Sequence, residues 1–91
     1  MNYELKFSKK AVKQIQDIKK SDAQSYKKVV ILLNEIIENP EFGTGEPERL
    51  KGNLAGYWSR RINKKDRLIY RVNNVEITIF VLSAKGHYDD K

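Results

Sequence analysis

The sequence predicts an α+β domain in which two N-terminal helices pack on a mostly antiparallel five-stranded sheet. Three observations predict this fold. Apolar and charged residues alternate at the N-terminus, apolar residues recur at helical intervals between Ser8 and Pro40, and the second half alternates again between turn-forming residues. The order of elements is therefore strand, helix, helix and four strands. With 91 residues, the chain is expected to form one domain over residues 1–91.

The first strand and the first helix are predicted from residues 3–20. Residues 3–7 alternate apolar and charged side chains, which is the period of a half-buried strand. Ser8 is expected to cap the helix because its hydroxyl accepts hydrogen bonds from the first free N–H groups. The helix ends near Lys19-Lys20, where cations suit the negative end of the helix dipole. Its apolar face consists of Ala11, Val12, Ile15 and Ile18.

The second helix is predicted between Ser21 and Pro40. Ser21 and Gln24 have the spacing of a capping box, and Pro40 ends the helix because a proline cannot continue it. Ile31 and Leu32 widen the apolar face, so we expect this helix to be buried on more than one side. The rest of the face consists of Tyr26, Val29, Val30, Leu33, Ile36 and Ile37.

After a loop over residues 41–47, the remainder of the chain is predicted to form sheet. Runs of β-branched and aromatic residues are separated by glycine, asparagine and aspartate, which are turn residues. Asn73-Asn74 is expected to close a tight hairpin, since asparagine tolerates a positive φ. The predicted strands cover residues 48–51, 57–62, 67–72 and 75–82.

Side-chain alternation assigns faces to the two central strands. The residues expected to pack on the helices are Trp58, Ile62, Leu68, Tyr70 and Val72. Ser59 and Arg61 then face outward on the first of these strands, and Arg67, Ile69 and Arg71 on the second. Arg61 and Arg67 share the open face only if the turn between the strands holds an odd number of residues or a bulge. Periodicity leaves that register open.

Charge gives the first indication of function. The formal net charge is +6 and the sequence pI is about 9.6, which favours nucleic acid, anionic lipid or an acidic protein as partner, although a basic surface also serves solubility alone. There is no cysteine, so disulfides and thiolate chemistry are excluded. The N-terminus lacks the apolar segment of a signal peptide, and the longest apolar run, residues 29–33, is too short to span a membrane. We expect a cytoplasmic protein with no membrane contact.

A small set of side chains suits metal-free cleavage of RNA. That reaction needs a base for the ribose 2′-OH, a cation for the phosphate and an acid for the departing 5′ oxygen. One histidine, no cysteine and no carboxylates at ligand spacing offer few metal ligands, so neither a metal nor another cofactor is expected. The candidates are Glu48 as base, Arg67 or Arg61 as phosphate clamp, His87 as acid and Tyr88 as a stacking or hydrogen-bonding group. Spacing along the chain alone does not select them, because ordinary surface charge is the alternative for each.

Four motifs in the second half of the chain resemble those of the YoeB/Txe branch of the RelE superfamily. The family pattern is G-x-P-E-x-L-K, then N-L-x-G-x-[FWY]-S-R-R-I, then R-L-[VI]-Y and a terminal H-Y. Here the motifs occupy residues 45–51, 53–62, 67–70 and 87–88, in the same order and at similar spacing. The first half resembles the family in the order and length of its elements only.

The resemblance implies the toxin of a type II toxin–antitoxin system. Such a toxin is a ribosome-dependent endoribonuclease that cuts messenger RNA in the A site by attack of the 2′-OH, leaving a 2′,3′-cyclic phosphate or a 3′-phosphate. By motif position, the family's roles fall on Glu48 (general base), Arg67 (phosphate stabilisation), His87 (general acid), Tyr88 (adjacent terminal tyrosine), and Lys51 and Arg61 (RNA phosphate contact).

The resemblance also implies the fold and the partners. The fold is RelE-like, with two helices on a five-stranded sheet, and homodimers are frequent. The partners are the ribosome with its messenger RNA and a cognate acidic antitoxin of the YefM/Axe type, which folds onto the basic toxin and covers or remodels its active site.

One departure and two alternatives accompany this interpretation. Many members end at the H-Y pair, whereas Asp89, Asp90 and Lys91 follow it here, and the carboxylates of the two aspartates would repel phosphate near His87. The first alternative is a ParE-like toxin on the same fold that poisons DNA gyrase, although those relatives generally lack the glutamate and the terminal pair. The second is a basic ribosome- or RNA-binding module, which predicts salt-dependent RNA affinity without cleavage products.

Overall fold

In the computed structural model, which describes residues 2–86, five strands and two helices follow one another in the predicted order. The strands are β1 (Glu4–Phe7), β2 (Glu48–Arg49), β3 (Tyr57–Arg61), β4 (Arg67–Asn73) and β5 (Thr78–Ser83), and the helices are α1 (Lys9–Ser21) and α2 (Ala23–Glu38). A short 3₁₀ helix, Gly52–Leu54, lies between β2 and β3. No helix within residues 2–86 is long and apolar enough to cross a membrane.

The strands form one sheet in the order β1-β5-β4-β3-β2. The pairs β2–β3, β3–β4 and β4–β5 are antiparallel. Among the described strands, only β1 runs parallel to its neighbour, β5. The predicted α+β fold with a mostly antiparallel sheet is therefore confirmed. A β-bulge interrupts the pairing of β4 with β5 between Ile69 and Tyr70.

The first helix begins as predicted, whereas the second begins one residue later. The Ser8 hydroxyl oxygen accepts from the Ala11 N–H at 2.9 Å and also donates to the Leu82 carbonyl oxygen at 2.6 Å. Asp22 caps α2, and its carboxylate accepts from both the N–H and the hydroxyl of Ser25. The predicted Ser21 cap is wrong because Ser21 still belongs to α1, where its hydroxyl donates to a carbonyl of the preceding turn.

Both helices pack on one face of the sheet and bury a single apolar stripe each. The buried core comprises Ala11, Ile18, Val29, Leu32, Ile36, Ile62, Leu68, Tyr70, Ile79, Val81 and Ala84. On α2, Val30 and Ile31 are 39% and 49% exposed, so the expected burial of this helix on more than one side is wrong. On α1, Val12 of the predicted apolar face is 43% exposed. The sheet covers α2 from one direction only, and Leu32 rather than Val30 occupies the centre of that stripe.

The last hairpin is longer than expected. β4 continues to Asn73 and β5 begins at Thr78, so four residues separate them instead of a two-residue Asn73-Asn74 turn. The Asn73 side-chain oxygen accepts from the N–H groups of Val75 and Glu76 and thereby closes the turn locally. Val75, predicted to start the strand, is 93% exposed in this turn. Alternation placed the remaining strand boundaries within two residues.

Candidate functional site

Strand register brings three of the predicted site residues to the sheet face that the helices leave open. Arg61 and Arg67 are direct cross-strand partners, so their side chains lie on the same face. Glu48 pairs with Ser59, which precedes Arg61 by two positions on β3, and so it projects from that face as well. The turn between β3 and β4, residues 62–66, holds the odd number of residues that this register requires.

A cleft of about 320 Å³ opens where these side chains meet. It is lined by Gly45, Glu46, Pro47, Glu48, Ser59, Arg61 and Arg67. The cleft therefore combines one carboxylate on the edge strand with two guanidinium groups on the adjoining strands. Glu48 and Arg61 are exposed and Arg67 is half-buried, so a solvent-borne anion can reach the guanidinium groups directly.

The wall of the cleft is attached to Arg61 through backbone and side chain. The Arg61 N–H donates to the Gly45 carbonyl oxygen at 2.7 Å. The Arg61 guanidinium lies 3.5 Å from the Glu46 carboxylate. Both side chains are exposed, so an anionic ligand can displace the Glu46 carboxylate from Arg61. Glu46 has a φ of 54°, a left-handed conformation uncommon for residues other than glycine, and it directs the chain into Pro47 and Glu48.

Arg67 lies beside the end of the described chain. Its N–H donates to the Gly86 carbonyl oxygen at 3.1 Å, while the Gly86 N–H donates to the buried Asp66 carboxylate at 2.9 Å. Asn63 donates from its amide to Asp66 at 3.2 Å and to the Ser25 hydroxyl at 2.8 Å. The start of β4, Gly86 and α2 are thus joined by one hydrogen-bond network.

Arg60 is a residue of this region that the sequence analysis does not single out, because only its neighbour Arg61 matches a position of the family associated with RNA phosphate contact. Its side chain is fully buried. The guanidinium donates to the Tyr70 hydroxyl at 3.1 Å and to the Glu35 carboxylate at 3.1 Å. It also donates to the carbonyl oxygens of Asn39, Phe42 and Thr44. Neighbours on a strand face opposite sides, so the Arg60-Arg61 pair already required that one arginine point inward.

The loop after α2 can approach Arg60 closely because of two glycines. Gly43 has a φ of +130°, and a Cβ there would lie 2.5 Å from a Glu35 carboxylate oxygen and 3.0 Å from the Arg60 guanidinium. Gly45 has a φ of +87°, and a Cβ there would lie 3.1 Å from the Arg61 carbonyl oxygen. Both positions favour glycine for conformation and for space. The same loop then forms the cleft wall, so Arg60 holds that wall from beneath.

Two titratable groups around Arg60 are shifted in opposite directions. Hydrogen bonds from the Thr44 hydroxyl and N–H, reinforced by Arg60, lower the pKa of Glu35. Burial raises the pKa of Tyr70, whose hydroxyl donates to the Pro40 carbonyl oxygen at 2.6 Å. Both shifts favour the ionic state that the network needs, namely a carboxylate at Glu35 and a neutral phenol at Tyr70.

Of the other predicted site residues, the structure describes Lys51 alone. Lys51 is exposed just after β2 and does not belong to the residues that line the cleft in the part of the chain described. His87 and Tyr88 lie outside the described residues. Within residues 2–86, no three histidine, cysteine, aspartate or glutamate side chains are grouped so that they could hold a metal ion.

Comparisons with known proteins agree on one family. The model of the family described as "YoeB-like toxin of bacterial type II toxin-antitoxin system" matches residues 7–88. Toxin RelK of Mycobacterium tuberculosis is 43% identical over 68 residues, which cover 75% of this chain and 78% of the relative. The structure of a YoeB/ParE toxin from Agrobacterium tumefaciens is 33% identical, with a TM-score of 0.88 over 93% of this chain and 99% of that one.

Two Staphylococcus aureus structures are also similar to this chain. They are a YoeB dimer, at 38% identity and a TM-score of 0.85, and a YoeB–YefM complex, at 37% identity and a TM-score of 0.82. Each alignment covers 97% of this chain and 100% of the other.

Proposed function

Because the chain belongs to the YoeB-like toxin family of bacterial type II toxin–antitoxin systems, we propose that it is a ribosome-dependent endoribonuclease that cleaves messenger RNA in the A site. The observation that carries this proposal is the cleft on the open sheet face, where the Glu48 carboxylate and the guanidinium groups of Arg61 and Arg67 line one surface. A base next to two anion-binding groups is what attack of a 2′-OH on a phosphodiester requires.

The proposed mechanism is metal-independent acid–base chemistry. Glu48 removes the proton from the ribose 2′-OH, and O2′ attacks the adjacent phosphorus. Arg67 and Arg61 stabilise the negative charge that builds on the non-bridging oxygens. The bond between phosphorus and O5′ breaks, O5′ takes a proton from the general acid, and a 2′,3′-cyclic phosphate remains.

We assign the general acid to His87, with Tyr88 beside it and Lys51 as a further contact to the RNA phosphates. The support for His87 comes from its neighbour: Gly86 is hydrogen-bonded to the backbone of Arg67 and to Asp66, and His87 is the next residue in the sequence. Imidazole also titrates near neutral pH, which suits a proton donor.

The test is primer extension on messenger RNA after incubation with ribosomes and the purified protein. Glu48→Gln preserves size and removes the base, so the cleavage rate should fall by roughly 10²- to 10⁴-fold. Arg67→Met and His87→Gln should each lose most of the activity. Glu76→Gln, in the exposed β4–β5 turn, is the matched control and should cleave like the wild type. Full activity in Glu48→Gln, Arg67→Met and His87→Gln would contradict the assignment of these three residues to catalysis. Inhibition of gyrase supercoiling without RNA cleavage products would instead favour a ParE-like toxin.

We also propose an acidic antitoxin of the YefM/Axe type as partner, in the cytoplasm where translating ribosomes are found. A related toxin from S. aureus forms a YoeB–YefM complex, and the net charge of +6 here suits an acidic protein. A homodimer, as described for the S. aureus relative, is the proposed state without antitoxin. We take residues 1–91 as a single domain. Co-expression with a candidate antitoxin should yield a copurifying complex that no longer cleaves RNA.

A further inference from the structure

A second row of side chains crosses the open sheet face next to the cleft. Tyr57 pairs with Arg71, Arg71 pairs with Phe80, and Phe80 pairs with Lys6, so the four residues lie side by side on four adjacent strands. Arg71 and Phe80 alternate with core residues on their strands and therefore face away from the helices. We call Lys6, Phe80, Arg71 and Tyr57 the basic–aromatic row.

The guanidinium of Arg71 is held between two rings. It lies 5.4 Å from the centroid of the Tyr57 ring and 5.7 Å from that of the Phe80 ring. Arg71 is exposed, and within residues 2–86 the ion pairs do not involve it. Cation–π contacts orient a guanidinium without neutralising it, so Arg71 is positioned yet keeps its full charge for a ligand.

The basic–aromatic row continues the proposed active-site surface. On β3, Tyr57 precedes Ser59 of the cleft by two positions, and on β4, Arg71 follows Arg67 by four positions. Four residues of strand span roughly 13 Å. An anionic strand bound at Arg67 and Arg61 would therefore meet Arg71 and Lys6 farther along the same face. Glu48 lies on β2 in the row between Arg67 and Arg71, and Glu4 lies in the row on the far side of Arg71, so the open face also carries carboxylates and is not a continuous basic patch.

We propose that the basic–aromatic row is a binding site for single-stranded RNA that flanks the scissile phosphate, with Arg71 as its central contact. The proposal rests on the proposed function in that it takes RNA as the ligand of this face. Unpaired bases stack on aromatic rings and on arginine planes, whereas paired bases are not available for such stacking. In this site Arg71 contacts a phosphate and offers its plane to a base, while Tyr57 and Phe80 keep that plane in place.

The experiment measures binding of a fluorescein-labelled single-stranded RNA and of the matching duplex in the Glu48→Gln background, which prevents cleavage. Arg71→Ala should weaken single-strand binding about tenfold, which is the loss of one stacked base. It should also reduce the slope of log affinity against log salt by about 0.7, which is one phosphate contact to a single strand. Arg71→Lys should restore the salt slope but leave the affinity reduced, because lysine keeps the positive charge and lacks the planar guanidinium that stacks on a base.

The matched control is Arg49→Ala. Arg49 is also an exposed strand arginine over an aromatic ring, 5.9 Å from that of Trp58, but Trp58 packs against the core on the helix side of the sheet. Its loss should leave RNA affinity within twofold. Unchanged affinity in Arg71→Ala, an equal loss in Arg49→Ala, or an equal dependence of duplex binding on Arg71 would overturn the proposal.

Cleavage assays distinguish a failure of the proposed RNA-binding row from a failure of the proposed nuclease activity. If the wild type cuts messenger RNA on ribosomes but Arg71→Ala binds RNA like its parent, the RNA-binding row is refuted and the nuclease assignment stands. If Arg71→Ala weakens single-strand binding but the wild type produces no cleavage, the nuclease assignment fails and the row stands as an RNA-binding site.

Discussion

Replacement of Arg60 by methionine tests whether one buried cation holds the cleft wall in place. Methionine keeps an unbranched, flexible stem like that of arginine, although it is two atoms shorter, and it removes all of the donors, so the change mainly tests hydrogen bonding and charge. In the wild type the guanidinium is fully buried and donates to Glu35, to Tyr70 and to three carbonyl oxygens of residues 39–44. In Arg60→Met these acceptors lose their donor together.

The expected loss of stability follows from these contacts. Removing one partner of a buried ion pair costs about 3–5 kcal/mol. The Glu35 side chain is 34% exposed, so water can replace part of what it loses, and we expect the lower end, about 3 kcal/mol. A domain of 91 residues has a total stability of roughly 5–14 kcal/mol, so the variant should remain folded at room temperature. Arg60→Lys should fall between wild type and Arg60→Met because it keeps the charge with fewer donors.

Urea unfolding followed by circular dichroism measures the effect. With an m-value of about 1.5 kcal/mol/M, 3 kcal/mol lowers the midpoint by roughly 2 M. Arg49→Met, at an exposed position, should change stability by less than about 0.5 kcal/mol. Folded Arg60→Met should also cleave RNA more slowly, because the wall that carries Glu48 is no longer held. A loss below about 1 kcal/mol together with wild-type cleavage would refute the role assigned to Arg60.

Three further predictions concern the same loop and the helix junction. Gly43→Ala should destabilise the fold by more than about 1 kcal/mol in urea unfolding, because its φ of +130° and the contact with Glu35 both oppose a side chain. Hydrogen bonds from Thr44 lower the pKa of Glu35 in the folded state below its ordinary value of 4.5. The stability that the Glu35 carboxylate contributes is therefore fully present above pH 4.5 and is lost as the pH falls through the lower pKa of the folded state. Urea midpoints measured against pH should therefore fall less steeply at the acid end in Glu35→Gln than in the wild type. Asp22→Ala should lower the thermal midpoint because α2 loses the two hydrogen bonds from Ser25, and an unchanged midpoint would contradict that capping role.

Most elements of the fold were predictable from short-range features of the sequence. The Ser8 cap, the end of α2 before Pro40 and the alternation of β3 and β4 depend on neighbours within a few residues, and sequence reasoning placed them correctly. The family motifs select Glu48 and Arg67 as site candidates by their position in a pattern, and their catalytic roles stay predictions. Such features are readable because capping, proline geometry and strand periodicity act over short distances along the chain.

Tertiary structure decided which side of each element is buried and which distant residues meet. Val30 and Ile31 are as apolar as Leu32, and only the direction from which the sheet packs on α2 leaves them exposed. Arg60 and Arg61 are identical in sequence terms, yet the turn over residues 62–66 sets a register that sends Arg61 to the cleft and Arg60 into the core. A shift of one residue would exchange the two faces, and that choice depends on the packing of the whole sheet, which no local pattern contains.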